Sequence, residues 1–151
     1  MKIVYQGSPG AYSHLAAKKI YPNYEFIPYN TFEDCFKHCN ENDEHKTIIP
    51  VENSIAGRVA DIQYLINKYK LQIYAEHFQE IKHNLMILKD NDLKNVKSVR
   101  SHSQAISQCQ KLINSHKFET IIAADTAGSA KYISEKKIKN EAAIASDLAA
   151  K

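Results

Sequence analysis

The sequence predicts an α/β fold in which helices cover the faces of a mostly parallel sheet. Three observations carry that expectation. Short apolar runs alternate with stretches of helical periodicity in a β-α-β-α-β-α order across residues 3–69. Each run ends in a small polar turn, and the same alternation starts again after residue 95. Between the two rounds lies one long alternating stretch, Leu71 to Leu88, where the chain is expected to pass from one lobe to another.

Ile3-Val4-Tyr5-Gln6 is the first expected strand, and it runs into Gly7-Ser8-Pro9-Gly10. Ala11 to Ile20, alanine-rich and centred on Leu15, has the composition of a helix. Gly7 and Gly10 permit unusual backbone angles and close approach of a ligand, although a plain tight turn needs the same residues. Tyr12 and Ser13 fall in the first helical turn, facing any ligand at the helix start. Tyr24 to Pro28 reads as the second strand. Thr31 is a good N-cap with Asp34 three residues on, a near capping box, and its helix runs to about Asn40.

Thr47-Ile48-Ile49 is the third strand, closed by Pro50 because proline has no N–H for a ladder. Glu52, Asn53 and Ser54 follow in immediate succession, with Gly57 three residues later. Beyond Gly57 the spacing turns helical, with Val59, Ile62, Leu65, Ile66 and Tyr69 along one stripe, so Arg58 to Tyr69 reads as the third helix. A strand end, polar elbow and helix start would direct free N–H groups and a positive dipole end at a ligand. The plain alternative is that Asn53 and Ser54 only cap the helix.

Leu71 to Leu88 is too long for one ordinary strand. Two strands joined by a bend are expected, with the crossing near Glu76 to His83, giving a first lobe over 1–75 and a second over 76–151. In the second round Val96 to Val99 is a strand and Arg100-Ser101-His102-Ser103-Gln104 its elbow. Ala105 to Ser115 reads as one amphipathic helix, Phe118 to Ala124 as a strand, and Asp125-Thr126-Ala127-Gly128-Ser129 as the next elbow. Ala130 to Lys136 is a helix and Ala142 to Ala145 a short strand. Ser146-Asp147 would cap a further helix that has barely begun.

Composition narrows the function. With 44% hydrophobic and 25% charged residues, the 151-residue chain suits a globular protein with a real core. Net charge is +3, but the cations are interspersed with acids and only Arg58 and Arg100 are arginines, which argues against nucleic-acid binding. No run approaches the roughly 18 apolar residues of a membrane span. The N-terminus has too few apolar residues for a signal peptide, so the cytoplasm is the expected compartment. Cys35 and Cys39 share an apolar helical face with Phe32 and Phe36, and Cys109 shares one with Ile106, Leu112 and Ile113. Core packing accounts for all three better than a metal or a disulfide. The histidines lack ligand spacing, so no structural zinc is expected.

Four elbows therefore stand out, Gly7 to Ser13, Glu52 to Gly57, Ser101 to Gln104 and Asp125 to Ser129, each at the C-terminal end of an expected strand. Open α/β sheets bind ligands at that edge. Ser, Thr, Asn, Gln and His donors from two lobes would line an interlobe cleft suited to a small carboxylate. No Gly-rich loop ends in Gly-Lys-Ser/Thr, which excludes ordinary phosphoryl transfer, and no serine has the Gly-x-Ser-x-Gly setting of a hydrolase. Glu52 is a site residue or an elbow brace; His102 is a proton donor or a helix cap; Asp125 reads as a cap for the helix after it.

Together the motifs Gln6-Gly7-x-x-Gly10-Ala11-Tyr12-Ser13, Pro50-Val51-Glu52-Asn53-Ser54-x-x-Gly57-x-Val59, Ser101-His102-x-Gln104-Ala105-x-x-Gln108-Cys109 and Asp125-Thr126-Ala127-Gly128-x-Ala130 resemble the catalytic domain of prephenate dehydratases. The resemblance covers Met1 to about Leu148. It implies two α/β lobes like those of type-2 periplasmic binding proteins, with the active site between them. It also implies conversion of prephenate to phenylpyruvate, water and carbon dioxide in phenylalanine biosynthesis, with no cofactor and in a homo-oligomer. Glu52, Asn53, Ser54, His102 and Thr126 become the catalytic candidates, and Gly10, Tyr12, Ser13, Gly57, Ser103, Gln104 and Ala127 the substrate-binding ones.

Ser103 stands where the family very often has proline. The Thr-Arg-Phe motif of the family, the segment that returns to complete the first lobe, and the ACT regulatory domain are not among these residues, so the chain reads as a fragment or a shortened form. Arogenate dehydratase and a non-catalytic carboxylate-binding pair of lobes are the competing readings.

Overall fold

The structure is a computed structural model that describes residues 1–150. It divides into two compact units, residues 1–8 with 12–80, and residues 9–11 with the chain from Ile81 onward.

In the first unit β1 (Lys2–Gln6) lies between β2 (Glu25–Tyr29) and β3 (Lys46–Ile48), parallel to both. Its Ile3, Val4 and Tyr5 are buried, the continuous apolar run that a strand covered on both faces requires. Helices α1 (Tyr12–Ile20), α2 (Phe32–Glu41) and α3 (Ile62–Tyr69) complete the unit. Thr31 caps α2 by accepting the Asp34 N–H at 3.1 Å. The Asp34 carboxylate takes the Thr31 hydroxyl at 2.6 Å, where the longer Glu of a full capping box would reach the cap's own N–H. Phe36, Ile62 and Leu65 form one core cluster with Val59, Ile66 and Tyr69 against it. Val4, Cys35 and Cys39 form another. Burial there pushes the Cys35 thiol up to about 12 and that of Cys39 to about 11, so both act as apolar packing.

Two expectations are corrected in this unit. The elbow after Pro50 does not lead straight into a helix. Glu52–Asn53 (β4) pairs antiparallel with Gly57–Arg58 (β5), and the Asn53 Oδ1 accepts the N–H groups of Ile55 and Ala56, both at 2.9 Å. Gly57 supplies a φ of +81° with open space where a Cβ would stand, so the backbone angle alone calls for glycine. The helix starts only at Ile62, behind Asp61 in a left-handed conformation with no side-chain cap bond. Leu71 to Ala75 is not a strand either: the stretch has no ladder partner, and Ile73 and Tyr74 are exposed. Its alternation is real, but a strand exists only where another strand takes its hydrogen bonds. Tyr74 instead lies over the Lys46 ammonium, 3.7 Å from the ring centroid.

The second unit holds a four-stranded sheet in the order β6 (Asn84–Met86), β9 (Glu141–Ala145), β7 (Ser98–Ser101), β8 (Glu119–Ile122). β7 is parallel to both β8 and β9, and β6 is antiparallel to β9. The single helix expected over 105–115 is two, α4 (Ser103–Gln108) and α5 (Gln110–His116). The break is at Cys109, whose N–H is shared between the carbonyls of Ala105 and Ile106 at 3.0 and 3.1 Å, with φ −102° and ψ 13°. α6 (Thr126–Lys136) follows β8. Val99, Ile106, Ile113 and Ile144 centre the core. Arg100 bonds Glu141 across β7 and β9 at 2.8 Å and its guanidinium packs 4.5 Å from the Tyr132 ring centroid, so this arginine is committed within the fold. No described helix is long and apolar enough to cross a membrane.

Ser146 does not cap a new α-helix. Its hydroxyl donates to the Gly10 carbonyl at 2.6 Å, and the chain makes one 3-10 turn over Asp147–Ala150. Gly10 has φ +98°, and a Cβ on it would stand 2.8 Å from the Ala149 Cα. Glycine is demanded here twice over, by angle and by contact with backbone. Gly10→Ala is therefore expected to cost about 1–3 kcal/mol for its backbone conformation and more for the clash. Leu65→Ala, in the first unit, is expected to cost about 2–5 kcal/mol. Urea unfolding midpoints check both, and a Gly10→Ala midpoint at the parent value would contradict the close approach of Ala149.

Candidate active site

Strand pairing decides which candidates share an edge. In the second unit the β7–β8 register ends at Ser101 opposite Ile122, so both strands release their loops at the same edge. His102, Ser103 and Gln104 leave β7 directly, and Asp125 to Gly128 follow β8 after two residues. β9 runs parallel to β7 and ends one residue before Ser146, which holds Gly10. Gly10, His102, Ser103, Gln104, Thr126 and Ala127 are thus gathered on the C-terminal edge of one sheet. Ser101 fastens that edge, its buried hydroxyl donating to the Ile144 carbonyl at 2.6 Å.

Both loops carry their own caps. The His102 Nδ1 accepts the Gln104 N–H at 3.3 Å, which in the neutral ring places the hydrogen on Nε2. A donor is thereby turned away from the helix. At α6 the Asp125 carboxylate accepts the Gly128 N–H at 2.5 Å, and a Cβ on Gly128 would lie 2.7 Å from the other carboxylate oxygen. Gly128 is bare so that this carboxylate can sit down on the helix start. The favourable end of the α6 dipole is consequently occupied by the chain's own anion. What remains there for a ligand is neutral: the Thr126 hydroxyl makes no hydrogen bond among the described residues, and Ala127, its side chain buried, offers only backbone.

In the first unit Tyr12 and Ser13 begin α1, and the Glu52–Arg58 hairpin follows β3, the parallel neighbour of β1. Glu52 and Ser54 are exposed, and Asn53 and Gly57 are half-buried. The two bonds to its Oδ1 fix the orientation of the Asn53 amide. Glu52 stands opposite Arg58 in the hairpin register, which makes Arg58 a cation beside the candidates that spacing alone did not single out. Ser146 was read only as a cap, yet a polar residue ending the third parallel strand is the same signal that marked His102. An open, acidic depression along α2, lined by Glu33, Asp34 and Glu41, contains none of the candidates.

The prephenate dehydratase family profile matches residues 3–151. A bifunctional N-acyl-homoserine lactone acylase/prephenate dehydratase of Komagataeibacter europaeus is 34% identical over 98% of this chain and 53% of its own length. Arogenate dehydratase 2 of Petunia hybrida is 34% identical over 100% of this chain and 38% of its own. Among solved structures, a quorum-quenching acylase superposes with TM-score 0.90 at 33% identity, over 99% of this chain and 55% of that one. The prephenate dehydratase of Staphylococcus aureus superposes with TM-score 0.79 at 26% identity, over 97% of this chain and 55% of that one. The chain thus spans about half, or less, of the length of these relatives. With four motifs in order, superposition on a solved prephenate dehydratase and a family-model match along nearly its whole length, the chain belongs to the prephenate dehydratase family.

Proposed function

We propose that the gene product carrying these residues converts prephenate to phenylpyruvate, water and carbon dioxide, a step of phenylalanine biosynthesis. The family match over residues 3–151 carries this reading. The chemistry is redox-neutral. The bond from the ring to its carboxylate breaks, its electron pair enters the ring, and the ring hydroxyl departs as water after taking a proton. Aromatisation drives the step, so the protein has to hold a dianion and deliver one proton.

Neutral donors suit the first task. Asn53, Ser54, Gln104 and Thr126 are assigned to holding substrate, with Tyr12, Ser13, Ser103 and the backbone at Gly10, Gly57 and Ala127 beside them. His102 and Glu52 are assigned to assisting the reaction. With Nδ1 accepting the Gln104 N–H, the His102 ring presents Nε2–H as a hydrogen-bond donor for the leaving oxygen, and the Thr126 hydroxyl is a second donor. Assembly of identical copies and a cytoplasmic location are part of the same proposal.

Arogenate is the second substrate to test, because relatives from Petunia hybrida and Arabidopsis thaliana are named for it. It carries an amino group where prephenate has a keto group. An acylase activity is named for one curated relative and for one solved structure, and the buried Ser101 and Ser146 hydroxyls, both donated to carbonyls, are not its nucleophiles in this arrangement.

Phenylpyruvate formation from prephenate, read by its absorbance in alkali, tests the reading in the whole gene product. Phenylalanine formed from arogenate is read by chromatography. No turnover of either substrate would overturn the proposal. Thr126→Val removes one hydroxyl and keeps the shape, while Asn53→Asp keeps an acceptor for Ile55 and Ala56 but replaces the amide donor by a charge. Each is expected to lower kcat/KM about a hundredfold, with stability unchanged within about 0.5 kcal/mol for Thr126→Val. Parent-like rates in both variants would remove those side chains from the site.

A further inference from the structure

Three side chains of the first unit that the proposed chemistry does not use form one continuous chain of hydrogen bonds. The Tyr29 hydroxyl lies 2.9 Å from His38 Nδ1, and His38 Nε2 lies 2.7 Å from His45 Nδ1. The imidazoles are 12° from coplanar with centroids 5.0 Å apart. So short an N···N contact at that centroid distance puts the rings edge to edge in one plane, with the bond along the nitrogen lone-pair direction. Tyr29 belongs to β2, His38 to α2, and His45 immediately precedes β3. The intervening turn is tied down at the same place: Asn42 Nδ2 donates to the His38 carbonyl at 2.8 Å, and the His45 N–H donates to the Asn42 carbonyl at 2.9 Å.

Counting hydrogens shows what this chain tolerates. With both rings neutral, Tyr29 donates to His38 and His38 to His45, or the whole order runs in reverse. One added proton fits without breaking a bond, because a cationic His38 donates at both ends, to the Tyr29 oxygen and to His45. A second proton does not fit. Both nitrogens across the 2.7 Å gap would then carry hydrogen, on two cationic rings. We propose that Tyr29, His38 and His45 form a single-proton latch, closed with none or one added proton and opened by a second, which frees the turn between α2 and β3 in mildly acidic solution.

Two neighbouring charges act on His38 in opposite directions. Glu41 on α2 favours a charged His38 and Lys2 on β1 opposes it, while Lys2 is paired with Glu25 at 3.0 Å. Lys68 of α3 is bound to Glu33 in the first turn of α2, and Lys46 of β3 sits on the Tyr74 ring. Burial first, and His45 second, hold His38 below the usual imidazole value. A lowered folded value leaves stability intact above about pH 6.5, the unfolded value, and erodes it as pH falls further.

NMR of the histidine rings, with amide exchange of residues 42–45, tests the latch between about pH 8 and pH 4.5. Two titration steps separated by about one pH unit or more are expected, with exchange of the turn rising through the lower step. In His45→Gln the amide keeps a partner for His38 but does not titrate. His38 should then titrate in one step, at a higher pH than the lower step of the parent, and turn exchange should lose its acid rise. Tyr29→Phe leaves the ring pair intact and should keep both steps apart. Coincident titrations in the parent or in Tyr29→Phe, or an unchanged acid rise in His45→Gln, would overturn the latch.

Discussion

Parallel pairing of one central strand with two neighbours is the constraint on which the rest of this structure depends. β7 is held in register with β8 on one side and β9 on the other, all three pointing the same way. Parallel strands cannot be joined by tight hairpins, so each must hand the chain to a crossover and each releases its loop at the same edge. The histidine, glutamine and threonine candidates of the second unit owe their common location to that rule, and the Ser146 hydroxyl ties Gly10 to the same edge. β1 plays the same part in the first unit between β2 and β3. Its buried Ile3, Val4 and Tyr5 are the hydrophobic anchor that makes the register stable.

The edge so formed is polar but not strongly positive. α6 begins on Asp125, α4 begins on the Nδ1 of His102, and Arg100 is occupied by Glu141 and Tyr132. In the first unit, the hairpin after β3 carries an Asn53 turn and, across from Glu52, the exposed Arg58. On the edge of β7 the groups on offer are hydroxyls, amides and backbone donors. For the proposed reaction, in which one carboxylate leaves as a neutral molecule, weak ion pairing is an advantage, because strong pairing to that carboxylate would oppose its departure.

How much of this was legible in the sequence differed from place to place, for physical reasons. β1 and α2 announce themselves through local signals, an apolar run or a capping residue three positions before an N–H; Asp125 gives α6 the same cap, but the helix begins at Thr126 rather than at the expected Ala130. The four motifs likewise carried the family, which the profile match bears out. The hairpin over 52–58 was misread because an Asn that closes a two-residue ladder and an Asn that caps a helix look alike in sequence. What separates them is the ladder, which pairs Asn53 with Gly57 and Glu52 with Arg58, and the positive φ of that glycine. Leu71 to Ala75 misled for a related reason, since alternation states a preference that only a neighbouring strand can fulfil. Gly10 was marked as a ligand contact, but its need for glycine is set by Ala149, near the other end of the chain, and no local pattern reveals that. The break at Cys109 has no breaker residue at all.

The most direct measurement is a titration of prephenate into isotope-labelled protein, followed by backbone amide NMR. The amides of Gly10, Gln104 and Ala127 are expected to shift together, saturably and with one apparent affinity, while those of α5 stay in place. Shifts confined to the exposed face of α2, or none at any of the three, would contradict a substrate site on the edge of β7.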